Sequence, residues 1–432
     1  MTGGKIDRIE LYHVEIPLPT PLFPVWIPGY PQYRLCSTLL AVTTKDGLTG
    51  YATAPAFERE RESLGDFIGQ FLLGLDAYDL DAVRERLRQA SFLGWRNHWM
   101  DVAFWDLAAK AQGVPLHQLL FQQLGGQSDA PSPAAVPVYA SFLELRPPRV
   151  RAEAIERAQR LGFRGVKIPV HSIKEQDDLD QLILARQVAG PNFDLFVHAH
   201  QAWSVSLVEE VPHWTLDRAR RFVDKAAELG YHWVQEPLHD EAWADLAALN
   251  QDARIDIAGG DLTFTFVPLK ALIQERSYEL LTPDTSFAGL SIVRQTLAAC
   301  LKSQLGFSPS SKGDGLGLLA NLHALVAWAR LSGQADVRLE FPWEPPAVIP
   351  EHRDILLKTP LSVPNDGLLP VPTGPGLGAE LDPRTLKRHA HRFYSLTPVK
   401  FVVNSARRSG LKQTAELARG EKRRTKAITS TD

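Results

Sequence analysis

The chain has 432 residues, which is too long for one small core, so we expect two or three domains. Hydrophobic residues make up 44% and charged residues 22%, and the net charge of −3 favours neither nucleic acid nor a membrane surface as a partner. The two cysteines, Cys36 and Cys300, lie far apart, which argues against a disulfide framework and for a reducing cytoplasm.

The N-terminal region mixes strand and helix patterns. It begins without an apolar run, so we expect no signal peptide, and no stretch of the chain approaches the roughly 20 apolar residues of a membrane span. Residues 7–57 alternate as strands do, with a hairpin turn signal at 45–47. A Pro- and aromatic-rich loop at 17–34 is expected to pack on a neighbour or a ligand. Residues 62–124 change to helical spacing.

From about residue 136, short apolar runs alternate with amphipathic helices. Eight such runs with helical connections over roughly 200 residues are typical of a (β/α)8 barrel. The eight runs are 136–139, 165–170, 193–197, 231–234, 255–258, 280–282, 306–308 and 337–339.

The C-terminal part divides into two segments. Residues 341–398 are rich in Pro and Gly and are expected to fold back on the N-terminal region. From about residue 401 the chain is basic and polar, which is typical of a solvated or disordered tail. Its basic residues are not interleaved with aromatic ones, so nucleic acid is not the expected partner.

Polar side chains end every predicted barrel strand. Chemistry in such barrels is found at these carboxyl ends. Because residues two apart face the same side, His198 and His200 can both face the interior, whereas Gln235 and Glu236 cannot both do so from a regular strand. The polar residues at the strand ends are Lys167, His171, His198, His200, Gln235, Asp261, Asp284, Ser310, Lys312 and Glu340.

Six motifs, in order, resemble those of the enolase superfamily and, within it, of the mandelate racemase and muconate lactonising enzyme group. They fall at 162–167, 197–203, 233–238, 257–261, 282–284 and 374–378, and the resemblance covers roughly residues 6 to 395. It implies an α+β capping domain (1–130) completed by a C-terminal return (341–400), above a barrel (131–340), with the basic tail at 401–432.

The resemblance also implies a reaction. Members of the group remove a proton next to a carboxylate, and a divalent metal, usually magnesium, holds the enediolate. Racemisation, epimerisation, cycloisomerisation or loss of water follows. Such proteins often form homo-oligomers, and a small carboxylate is the implied partner.

The implied metal site is altered. Its three carboxylates would fall at His198, Gln235 and Asp261, of which only Asp261 is acidic. Magnesium prefers anionic oxygen, and losing two anions costs several kcal/mol even at an effective dielectric of about 20. Two histidines, His198 and His200, with Asp261 and Gln235 suit zinc, iron, nickel or manganese better, so we expect either a transition metal or no metal.

The implied bases are altered too. Lys167 is kept, but Pro169 takes the place of the second lysine of that strand. Asp284 is kept, but Ser310 stands where its histidine partner would be. We therefore predict Lys167, Asp284, His200 and Glu340 as catalytic residues, with His171 and Lys312 as further candidate bases.

The substrate would be enclosed by two loops of the cap, at about 20–34 and 52–60. The predicted substrate contacts are Trp26, Tyr30, Arg34, Arg59 and Lys312. Purely structural roles remain open: His198 and His200 would then be hydrogen-bonded to acids, and Lys167 would form an ion pair with Asp261 or Asp284.

Three functions are compatible with this pattern. The first, which we favour, is a lyase or isomerase that removes an α-proton from a small carboxylate or sugar acid, with an altered metal or none. The second is a catalytically silent relative that binds a small molecule or serves as an assembly subunit. The third is a transition-metal enzyme built on His198 and His200.

Overall fold

The structure, a computed structural model, describes residues 4–94, 96–127, 131–362, 366–407, 410–412 and 415–416. The N-terminal region consists of three antiparallel strands followed by helices, as its pattern predicts. Its elements are β1 (Ile6–Leu22), β2 (Gln32–Thr44), β3 (Thr49–Ala56), α1 (Leu64–Leu72), α2 (Leu80–Leu93), a 3-10 turn (His98–Met100), α3 (Asp101–Gln112) and α4 (Leu116–Gln123).

The central region alternates strands with helices and confirms the predicted (β/α)8 barrel. Its elements are β4 (Ala135–Ser141), α5 (Pro148–Arg160), β5 (Gly165–Pro169), α6 (Glu175–Ala189), β6 (Asp194–His198), α7 (Leu216–Glu228), β7 (Trp233–Gln235), α8 (Trp243–Asp252), β8 (Asp256–Gly259), α9 (Phe266–Gln274), β9 (Leu280–Leu281), α10 (Thr285–Ala288), α11 (Leu290–Ser303), β10 (Gly306–Phe307), α12 (Gly315–Ser332) and β11 (Leu339–Pro342). The parallel strands lie in the order β10-β9-β8-β7-β6-β5-β4-β11, so the last strand lies beside the first.

The C-terminal segment returns to both units. Its elements are α13 (Pro350–Arg353), β12 (Leu368–Pro370), α14 (Pro383–His389) and β13 (Ala390–Leu396). Strand β13 joins the sheet of the cap in the order β13-β1-β2-β3, and β12 pairs with β4. Residues 398–407, where the tail begins, are helical, and 417–432 lie outside the described residues. Among the described helices, none has the length and apolar character that a membrane crossing requires.

The aromatic-rich loop is shorter than its sequence indicates. Strand β1 continues to Leu22 and β2 begins at Gln32, so the irregular segment spans 23–31 rather than 17–34. Several prolines of the predicted 17–34 loop lie at the end of β1, where the pairing with β2 shifts register between Pro17 and Leu22. Such irregular pairing tolerates proline, because a residue that is not hydrogen-bonded to the neighbouring strand needs no backbone N–H donor.

A buried carboxylate joins the cap to the barrel. Asp101, at the start of α3, accepts hydrogen bonds from the backbone N–H groups of Leu290 (2.7 Å) and Ser291 (2.8 Å), the first residues of α11. The two units approach closely here, since a Cβ on Gly289 would lie 2.2 Å from the carbonyl oxygen of His98. A side chain of the cap thus binds the N-terminus of a barrel helix, which favours negative charge.

We predict that Asp101→Ala lowers the free energy of unfolding by about 2–4 kcal/mol, because two buried N–H groups lose their acceptor. Asp81→Ala is the control, since Asp81 is exposed on α2 and should cost under about 0.5 kcal/mol. Urea unfolding followed by tryptophan fluorescence measures both. Equal midpoints for the two variants would contradict this account of the joint.

Candidate functional site

The carboxyl ends of the barrel strands border a cavity of about 320 Å³. The cap contributes apolar side chains to it, and the barrel contributes most of the polar ones. Trp26 of the cap loop packs on Trp203 of the loop after β6, with ring centroids 5.8 Å apart. The cap loop therefore covers the region where the predicted catalytic side chains lie.

Two histidines face this cavity, His198 at the end of strand β6 and His200 two residues later. The rings of His198 and His200 stack, with centroids 3.5 Å apart and planes inclined by 19°. Burial holds the pKa of both imidazoles well below the ordinary range. The neighbouring His200 lowers the pKa of His198 further, and Lys312 lowers the pKa of His200 further. Both rings are therefore neutral near pH 7. The Nδ1 atom of His200 is buried and makes no hydrogen bond within the described part of the chain.

Strand β7 delivers two side chains to the barrel centre, against the alternation expected of a regular strand. The strand ends at Gln235, and Glu236 adopts a left-handed conformation with φ of 50°. This turn of the backbone directs Glu236 to His198, whose Nε2 lies 3.0 Å from Glu236 Oε2, while Gln235 reaches Asp261. Burial and the charge of Asp261 raise the pKa of Glu236 well above its ordinary value.

A buried network connects Lys167 to the other strands. Its Nζ donates to Gln235 Oε1 and to Glu340 Oε2, each at 2.7 Å. Gln235 in turn donates from Nε2 to Asp261 Oδ1 at 2.5 Å and to Ser310 Oγ at 2.9 Å. Burial alone would raise the pKa of Glu340, but the ammonium groups of Lys167 and Lys312 lower it. Glu340 is therefore ionised.

The loop after β10 brings Lys312 into the cavity. Its Nζ lies 3.3 Å from Asp261 Oδ2, an oxygen that makes no hydrogen bond of good geometry with the residues that the structure describes. Asp284 fixes the backbone of this loop by accepting from Lys312 N–H at 2.7 Å, and it also accepts from Asn321 Nδ2 at 3.0 Å. The Asp284 carboxylate is occupied in this way and does not line the cavity.

The other predicted contacts divide between the cavity and the surface of the cap. Trp26 and Lys312 line the cavity. Tyr30 packs beside Phe57, with ring centroids 5.4 Å apart, and is absent from the lining. Arg34 and Arg59 both bind Glu15, at 3.2 and 3.1 Å, on the exposed side of β1.

The cavity lining is mainly apolar, and its polar groups are largely satisfied by the protein. Ser37 bonds to Asp314, and Ser141 bonds to Glu340. Arg353 forms a buried ion pair with its neighbour Asp354. The apolar lining includes Ile16, Leu22, Val25, Trp26, Leu35, Phe57, Phe142, Leu143, Trp203, Leu262, Phe287 and Val348.

Three side chains could approach a common metal ion: His198, Glu236 and Asp261, whose ligand atoms lie within 4.8 Å of one another. They do not fit magnesium, which needs about six oxygens in near-octahedral geometry. The amide oxygen of Gln235 accepts a hydrogen bond from Lys167, and the ammonium of Lys312 lies next to Asp261 Oδ2, so neither oxygen is available to magnesium. One imidazole with two carboxylates is a donor set that suits a transition metal better.

Sequence reasoning missed Glu236 and several apolar lining residues. Glu236 follows Gln235 directly, and only the alternation rule excluded it. Phe57, Leu262 and Phe287 come from loops and helix starts whose conformations no local pattern specifies. Their convergence depends on how the cap sits on the barrel.

Two domain families match this chain. Residues 149–385 match the family described as enolase C-terminal domain-like, and residues 32–120 match the mandelate racemase and muconate lactonizing enzyme N-terminal domain.

Curated relatives include two named enzymes. A 3,6-anhydro-alpha-L-galactonate cycloisomerase of Streptomyces coelicolor is 25% identical over 304 residues, covering 66% of this chain and 76% of the relative. An arabinonate dehydratase of Saccharolobus solfataricus is 22% identical over 366 residues, covering 82% and 90%. Among solved structures, L-talarate dehydratase from Polaromonas sp. JS666, complexed with Mg and L-glucarate, has a TM-score of 0.74 at 20% identity, covering 91% of this chain and 99% of that one.

We predict that Lys167→Met lowers the free energy of unfolding by about 3–5 kcal/mol, because the buried Glu340 would lose the ammonium with which it is paired. Adding Glu340→Gln should make the double variant less costly than the sum of the two single variants. Lys225→Met removes an exposed pair with Glu228 and should cost under about 1 kcal/mol. The network has no such role if Lys167→Met proves as mild as Lys225→Met in chemical unfolding.

Proposed function

Because the chain belongs to the enolase superfamily, in the mandelate racemase and muconate lactonising enzyme group, we propose that it is a lyase or isomerase that removes the α-proton of a small carboxylic acid. The observation that carries this proposal is that a neutral imidazole, His200, and an ammonium group, Lys312, line the same cavity. A base and a cation at one site are what α-proton removal requires.

His200 is the proposed base. Its low pKa keeps the ring neutral, so one ring nitrogen has a free lone pair, and Nδ1 makes no hydrogen bond to any described residue. In the proposed step the imidazole takes the α-proton, the C–H bond breaks and its electron pair moves onto the carboxylate as an enediolate. The imidazolium then returns the proton to carbon, or donates it to a β-hydroxyl that leaves as water.

The neighbouring alternatives are less suited to this role. Lys167 is fully buried between Gln235 and Glu340 and does not line the cavity. His198 lines the cavity, but its Nε2 is held by Glu236. Asp284 is held by backbone N–H groups and Asn321.

Lys312 is the proposed carboxylate anchor. Burial lowers its pKa, but the charges of Asp261, Glu340 and Glu236 outweigh this and raise the pKa above its ordinary value. It therefore remains an ammonium. At about 4 Å and an effective dielectric of about 20, such a charge attracts an anion by about 4 kcal/mol, and the attraction grows as the enediolate forms.

The lining supports an acid whose remaining part is largely apolar. A polyhydroxylated chain would need hydrogen-bond partners, and the serine, aspartate and arginine side chains of the lining are already bonded to the protein. A second candidate is a sugar acid, which is favoured by the names of the relatives. The family resemblance implies that cycloisomerisation and loss of water begin with the same proton removal.

Two further expectations accompany this proposal. Cys36 and Cys300 are free thiols, which supports a reducing cytoplasm as the compartment. The family resemblance supports a homo-oligomer.

We predict that the protein exchanges the α-proton of aryl- or alkyl-substituted carboxylic acids with solvent in deuterium oxide, measured by proton NMR. A panel of aldonic and aldaric acids tests the second candidate. Exchange confined to sugar acids would replace the first substrate class by the second. If neither class exchanges above the buffer rate, the proposed proton removal is wrong, and the alternative is a catalytically silent relative that binds a small molecule or serves as an assembly subunit.

We predict that His200→Gln slows this exchange at least about 100-fold, since general base catalysis contributes factors of about 10² to 10⁴. His239→Gln is the matched control, because His239 is an exposed histidine outside the cavity. A His200→Gln rate equal to that of the control would assign the proton removal to another group.

A further inference from the structure

Lys312 supplies the positive charge next to a buried carboxylate of the barrel, Asp261. Its ammonium is 3.3 Å from Asp261 Oδ2, and Asp261 is fully buried. The side chain of Lys312 is only 17% exposed, and it lines the cavity that covers the strand ends. The ammonium therefore contacts the acid on one side and the cavity on the other.

The position of Lys312 is fixed by a second buried acid. Asp284 accepts the backbone N–H of Lys312 at 2.7 Å, and Asn321 holds Asp284 from helix α12. Asn321 also donates to the carbonyl oxygen of Ser310, at 2.8 Å, in the same loop. Asp284 and Asn321 thus define the path of this loop, which is typical of a side chain that must present charge at one point.

We propose that the Lys312 ammonium replaces the divalent cation that the family resemblance implies for this site. It neutralises Asp261 and binds the carboxylate and the enediolate of the substrate. The catalytic half of this statement rests on the proposed function. The half that concerns charge replacement rests only on the contacts of Lys312 and Asp261.

The other groups of the site agree with this assignment. Asp261 is the one acidic residue among the three positions where the family resemblance expects metal carboxylates. The other two positions hold His198, bonded to Glu236, and Gln235, bonded through both ends of its amide. A fixed ammonium compensates one buried carboxylate, whereas these three positions offer a dication a single anion, and the neighbouring Glu236 is engaged with His198.

Manganese titration tests the replacement directly, without a substrate. Free Mn²⁺ is measured by electron paramagnetic resonance as it is added to the purified full-length protein, up to about 1 mM. The variants are Lys312→Met and Lys312→Gln, each with and without Asp261→Asn. Lys302→Met, an exposed lysine on α11, is the control for a lost positive charge.

We expect no stoichiometric Mn²⁺ binding by the wild-type protein or by Lys302→Met. At least one of the two Lys312 variants should bind Mn²⁺ at least about tenfold more tightly than the wild type, and Asp261→Asn should abolish the gain. Stoichiometric binding by the wild type overturns the proposal, as does the failure of folded Lys312 variants to gain affinity. The wild-type titration can overturn the proposal even if neither variant folds.

Proton exchange supplies the second readout. The exchange rate should be unaffected by a chelator and should fall at least about 100-fold in Lys312→Met. If no acid exchanges at all, the proposed function fails, and the metal titration still decides the charge replacement.

Discussion

Compensation of buried carboxylates by two lysines is the constraint on which the rest of the site depends. Glu340 and Asp261 are both fully inaccessible, and each lies beside an ammonium group, Lys167 and Lys312 respectively. A lone buried charge costs several kcal/mol, and each ammonium offsets this cost for the acid beside it. Gln235 connects the two pairs through its amide and makes the barrel centre one continuous network.

Backbone geometry decides which side chains join this network. His200 and Glu236 both have positive φ, at 51° and 50°, just after strands β6 and β7. Non-glycine residues rarely adopt this conformation, which costs of order 1–3 kcal/mol and is frequent at functional sites. Here it stacks two imidazoles and adds a carboxyl group next to Asp261. The site therefore keeps three acidic side chains near its centre although two of the implied metal positions are not acidic.

The fold could be predicted from sequence because its signals are repeated. Eight apolar runs with helical connections gave the barrel, and the six motifs gave the cap and the C-terminal return. The strand ends also indicated Lys167, His198, His200 and Asp261 as neighbours. The strand-end pattern did not predict two local features. Strand alternation excluded Glu236 from the site, and nothing in the sequence indicated that backbone N–H groups and Asn321 hydrogen-bond to Asp284.

The substrate contacts were harder to predict, since they depend on how two units meet. Arg34 and Arg59 are reasonable carboxylate partners by residue type, yet they lie together on Glu15 at the surface of the cap. Residues such as Phe57 and Phe287 line the cavity only because the Asp101 joint places the cap above the strand ends. The apolar lining, which favours an acid with a largely apolar remainder, is a property of this assembly rather than of any motif.

The claim that a lysine stands in for the metal is tested most directly by a crystal structure of the wild-type protein grown with manganese. Data collected near the manganese absorption edge locate the ion by its anomalous signal. The account predicts no anomalous peak beside Asp261 and an ammonium of Lys312 in contact with its carboxylate. A peak coordinated by Asp261 together with His198 or Glu236, with Lys312 displaced, would contradict it.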